Sequence, residues 1–77
     1  MDDEEAIRLL EKQIAALEGS GIDMSGDREF FYVGEWELAL EGVYVAHKKH
    51  PGILDDVEVR SLVEDFEIDT AEFDLRF

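Results

Sequence analysis

The chain contains no cysteine and a single proline in 77 residues, so neither a disulfide nor a thiolate metal site can brace it. Cations are scarce: seven Lys and Arg stand against 21 Asp and Glu, for a formal charge of −14. That balance argues against direct binding to DNA, RNA or an anionic membrane surface, each of which attracts the opposite sign. No apolar run approaches the ~20 residues that cross a bilayer. The opening Met1-Asp2-Asp3-Glu4-Glu5 has neither the basic start nor the apolar stretch of a secretion signal, which predicts a cytoplasmic protein. The hydrophobic content of 45% is too high for a disordered acidic tail. The length allows one domain, residues 1–77, with a small core and marginal stability.

Helical periodicity dominates. Ile7, Leu10, Ile14 and Leu17 recur at helical spacing over residues 3–18, flanked by Ala6 and Leu9. Asp2 to Glu5 place negative charge where a helix N-terminus favours it, and Gly19-Ser20-Gly21 stops the helix. Residues 27–33 predict a short helix capped by Asp27 and ended by Gly34. The run at residues 30–33 also has strand propensity, but Gly34 leads straight into another helical pattern. On a third helix, residues 35–49, Trp36, Ala39, Leu40, Val43 and His47 form one face. Leu38 and Val45 lie almost opposite, which marks this helix as central, and Pro51-Gly52 ends it. Asp55 or Asp56 caps a fourth helix with the stripe Val59, Leu62, Val63 and Phe66. Beyond it, Phe73, Leu75 and Phe77 alternate with acids and arginine, which fits an extended tail over residues 68–77. Asp69-Thr70-Ala71-Glu72 fits a capped helical turn equally well. The expected fold is all-α: a bundle of three long helices and one short one, with an acidic C-terminal tail.

Chemistry-bearing patterns are weak. His47 and His50 are three apart, and Asp55 or Asp56 could join them, but a closed zinc site takes four ligands. The simpler expectation places His47 on the apolar face and His50 at the helix end. Asp65, Glu67 and Asp69 match the first positions of a calcium loop, yet Thr70 and Arg76 stand where glycine and glutamate belong. Ser20, Ser25 and Ser61 lie in no nucleophile motif, and Gly19-Ser20-Gly21 has no following lysine to cradle a phosphate. Neither a cofactor nor an enzymatic activity is expected.

A binding surface is what remains. Charge runs −5 over residues 1–25, −2 over 26–50 and −7 over 51–77. Such a surface keeps a protein soluble, and it also attracts a cationic partner. Adjacent Phe30, Phe31 and Tyr32 cannot all face one way on a short helix, so one or two are expected at the surface. Tyr44 borders a stripe made by Glu37 and Glu41, and aromatics beside acids are the make-up of a binding hot spot.

The stretch Gly34-Glu35-Trp36-Glu37-Leu38-Ala39-Leu40-Glu41-Gly42-Val43 resembles the MafI family of small bacterial immunity proteins. These carry a Gly-Glu-aromatic-x-x-Ala-Leu-Glu segment inside a short all-helical domain. The resemblance extends in character over residues 27–68. It implies a protein that binds and neutralises a cognate toxin, often a nuclease, and protects the producing cell. The family segment falls here on Gly34, Glu35, Trp36, Ala39, Leu40 and Glu41. Three of these, Trp36, Ala39 and Leu40, lie on the apolar face, which leaves Glu35 and Glu41 for recognition. The expected function is stoichiometric inhibition of a basic, nuclease-type toxin domain. Contact candidates are Glu35, Glu37, Glu41, Tyr44, Glu58, Glu64 and Asp65. A general acidic interaction module, or a nucleic-acid mimic, is the alternative. A monomer and a dimer formed through Phe30, Phe31 or the tail are both open.

Overall fold

A computed structural model describes residues 1–76. It contains five helices: α1 (Asp3–Gly19), α2 (Ser25–Tyr32), α3 (Trp36–Lys49), α4 (Asp56–Asp65) and α5 (Ala71–Arg76). No strand occurs among the described residues. The radius of gyration is 11.3 Å, close to the roughly 11.5 Å expected for a folded chain of this length.

Each helix starts and stops for a local reason. Asp2 caps α1 by accepting a 2.8 Å hydrogen bond from the Glu5 amide, and Asp55 caps α4 by accepting from Val57 and Glu58. Asp27 is not a cap. Helix α2 begins two residues earlier, at Ser25, and Asp27 lies inside its first turn.

Three helices end alike. At α1 the Ile22 amide bonds back to Leu17 and the Gly21 amide to Glu18. The same two-bond pattern closes α2 around Gly34 and α4 around Glu67. The motif needs one residue in the left-handed region. Gly21 and Gly34 supply it freely at φ of +86° and +81°, whereas Glu67 adopts φ of +55° against the steric preference of its Cβ.

Of the two alternatives open for residues 68–77, the structure takes the capped helical turn, which becomes α5. The Ala71 amide donates to Asp69 Oδ1 at 3.0 Å and the Asp74 amide to Thr70 O at 2.9 Å. The alternation of Phe73 with Leu75 therefore has no strand behind it. Phe77, its last member, lies outside the described residues.

Helix α3 is central, packing against α1, α2 and α4. The largest fully buried side chains are Leu10, Ile14, Leu17, Leu40, Val43, Val59 and Leu62. In α1 the buried face is centred on Ala6, Leu10, Gln13, Ile14 and Leu17, and Ile7 is only half-buried. Gln13 is thus drawn inside, 3% exposed, and neither amide atom has a partner among the described residues. Trp36, expected in the core, packs at its margin, and Leu38 remains 42% exposed.

Helices α2 and α3 approach closely at Gly42. A Cβ there would fall 1.6 Å from Asp27 Oδ1. The mid-helix glycine is what lets the Asp27 carboxyl lie against α3. Burial pushes the pKa of that carboxyl up, with the charge of Asp23 adding to the effect.

Candidate protein-interaction surface

The turn between α2 and α3 is built to hold aromatic side chains in fixed directions. Successive helical residues point about 100° apart, so three adjacent aromatics must diverge. Phe31 turns inward and meets Trp36 edge to face, with ring centroids 5.0 Å apart. Phe30 and Tyr32 stay outside, 39% and 74% exposed, as the adjacency of the three rings required.

Arg28 anchors this arrangement from α2. Its guanidinium bonds Glu11 at 2.7 Å and Glu18 at 2.5 Å, both on α1. The same guanidinium lies 5.9 Å from the Phe31 ring centre and 5.7 Å from that of Tyr32. The hydrogen bond from Arg28 lowers the Glu18 pKa, and the two glutamates raise that of Arg28.

Beyond the Gly34 cap, Glu35, Glu37 and Glu41 line one concavity of about 330 Å³ with Trp36, Leu38 and Phe66. Three of the seven contact candidates are thereby brought together. Asp65 is exposed beside Phe66 in the chain, at the last residue of α4. Glu58 lies elsewhere, 3.8 Å from Lys12 of α1.

Tyr44 is not a surface anchor. It is 9% exposed and forms the wall of a polar cleft of about 360 Å³ between α3, α4 and α5, which Glu64 also lines. Its hydroxyl donates to Asp74 Oδ1 at 2.5 Å, and its ring tilts against Phe73. The helical spacing put Tyr44 at the edge of the acidic stripe. Only the packing of α5 over it shows why that edge is covered.

Most polar groups of the cleft pair with one another, although the buried His47 Nδ1 has no partner among the described residues. Asp74 also accepts from Thr70 at 3.1 Å and pairs with Lys48 at 3.2 Å. Asp56 accepts from Arg60 Nε at 2.7 Å, and His47 Nε2 lies 2.8 Å from its other oxygen. The Tyr44 hydroxyl is the main cause holding Asp74 below the usual carboxylate range, and His47 is the main cause for Asp56. Burial, then the bond to Asp74, pushes the Tyr44 hydroxyl pKa up. The arrangement ties α4 and α5 to α3.

His47 and His50 separate as their positions suggest. His47 is buried against Asp56, and His50 is exposed at the end of α3. Among the described residues no group of three or more His, Asp or Glu is placed to hold a metal ion. No helix among them is long and apolar enough to cross a membrane.

Two surface residues escaped the sequence reading. Val33 and Leu38 sit where helical spacing suggests packing, yet they are 74% and 42% exposed. The available signal was Gly34: α2 ends at Tyr32, and the turn at Gly34 leaves Val33 without a further helical turn to cover it. No protein-family model, curated protein or solved structure matches the chain.

Proposed function

We propose that the protein is an immunity-type inhibitor that binds a basic, nuclease-type toxin domain in the cytoplasm and neutralises it stoichiometrically. The observation that carries this reading is the clustering of Glu35, Glu37 and Glu41 in one concavity beside exposed Leu38. These acids belong to the segment Gly34-Glu35-Trp36-Glu37-Leu38-Ala39-Leu40-Glu41, on which the resemblance to the MafI family rests. Nucleases grip phosphates through cationic clefts. An acidic helical face meets such a cleft by charge complementarity, which speeds encounter and rejects partners of the wrong sign. Inhibition then needs occupancy of the cleft or its rim, with no chemistry by the inhibitor.

The test is co-expression with a panel of basic nuclease-type toxin domains, scored by growth rescue and by co-purification. The expected result is rescue with a one-to-one complex whose association slows as salt rises. Glu37→Lys combined with Glu41→Lys should weaken that complex. Affinity indifferent both to 0.5 M salt and to this charge reversal would overturn the electrostatic account. Competition with DNA for several unrelated basic proteins, without rescue, would support the general acidic module instead.

A further inference from the structure

Four of the seven large hydrophobic side chains exposed among the described residues fall within residues 30–38: Phe30, Tyr32, Val33 and Leu38. A soluble domain scatters such side chains singly, and a contiguous group rimmed by polar residues marks an interaction site. Phe30, Tyr32 and Val33 share a shallow depression with Glu29, and Leu38 shares a second concavity with Gly34, Glu35 and Glu37, the next residues along the turn. We propose that this α2–α3 turn is a docking surface for a cationic polypeptide face with an apolar side chain at its centre. The inference deepens the reading above, on which its biological partner depends.

Charge complementarity selects the occupant. The rim groups Glu29, Glu35 and Glu37 are acidic, and the nearby Arg28 is committed to Glu11 and Glu18. A nucleic acid or an anionic membrane would meet the wrong sign. A second copy would set one glutamate rim against another, each on a chain of charge −14. A basic protein face carries the sign that fits, and its central apolar side chain would displace water from Tyr32 and Phe30.

The surface is also fixed in advance. Arg28 lies against the Tyr32 ring, Phe31 is locked on Trp36, and the Gly34 cap sets the turn. Binding therefore orders little that is not already ordered, which is what lets a small aromatic patch act as a hot spot.

The experiment uses the full chain, labelled with ¹⁵N, and two synthetic peptides of equal charge and length. One is an amphipathic peptide of lysine and leucine, and the other replaces each leucine by glutamine. The lysine–leucine peptide should shift amides centred on residues 29–38 and bind at least about tenfold more tightly than its glutamine counterpart. Tyr32→Ala, alone and with Phe30→Ala, should remove that advantage while leaving the weak binding of the glutamine peptide intact. Tyr32 is so exposed that its loss leaves the fold in place, which a thermal melt checks.

Equal affinity for the two peptides, or shifts centred on Glu58, Glu64 and Asp65, would overturn the assignment. So would self-association at low concentration that Tyr32→Ala abolishes, because the patch would then belong to a second copy. Growth rescue is a separate readout. Failed rescue with intact peptide docking refutes the immunity reading alone. Successful rescue with failed docking refutes this surface alone.

Discussion

Replacing Gly42 by alanine sets helix propensity against packing. In an open helix interior the change is favourable by about 0.8–1.0 kcal/mol. Here the new methyl group would lie 1.6 Å from Asp27 Oδ1, 2.2 Å from its carboxyl carbon and 2.7 Å from Oδ2. No non-bonded contact is that short, so either the Asp27 side chain swings out or α2 moves off α3. Overpacking of this kind costs roughly 1–3 kcal/mol. The net expectation for Gly42→Ala is a loss of about 1 kcal/mol, or about 4–8 °C in Tm for a domain of this size. Urea unfolding followed by circular dichroism supplies the free energy. Asp27→Ala removes all three clashing atoms. In that background, Gly42→Ala should stabilise by about 1 kcal/mol, because the propensity gain is then unopposed. A Gly42→Ala variant more stable than the parent would refute the reasoning. So would an equal loss in both backgrounds, since the cost would then not come from the Asp27 contact.

Other expectations follow from buried and strained groups. Gln13→Leu replaces a buried amide with no partner by an apolar side chain of similar size, and should raise stability by about 1–3 kcal/mol in the same urea assay. Glu67→Gly relieves a left-handed backbone at the α4 cap and should stabilise by about 0.5–1 kcal/mol, less any entropy that glycine adds to the unfolded chain. Asp56 and Asp74 have folded pKa values below the ordinary carboxylate value, so the stability they contribute is complete above about pH 4 and is lost as pH falls through their lowered values. Thermal melts of Asp74→Asn should therefore show a weaker decline on acidification than the parent. In a Tyr32→Phe background, the absorbance titration of Tyr44 should lie above the usual tyrosine range and move down in Asp74→Ala. An unmoved titration would show that α5 does not hold that hydroxyl.

Helix existence was legible because it rests on near neighbours. The spacing of Leu10, Ile14 and Leu17, the capping carboxylate of Asp55 and the stop at Gly34 act within a few residues of chain, so their pattern survives in one dimension. The divergence of Phe30, Phe31 and Tyr32 followed from helical geometry alone, and the acidity of Glu35, Glu37 and Glu41 was explicit in the residues of one segment. The net charge, and the sign of partner it favours, need no fold at all.

Long-range contacts settled the remainder. Tyr44 became interior because Asp74, thirty residues away, accepts from its hydroxyl. Asp27 looked like a cap because nothing local reveals that Gly42 opens a place for its carboxyl on α3. Gln13 is buried because the inward face of α1 is set by what packs on it, and hydropathy along one helix cannot weigh that. Residues 69–76 carried two local codes of similar strength, alternation and a capped turn. The ties of Asp74 to Tyr44, Lys48 and Thr70 belong to the helical alternative, and they exist only once α3 and α5 are brought together. Side-chain spacing determines which faces a helix has, and the burial of each face depends on which neighbours the folded chain delivers to it.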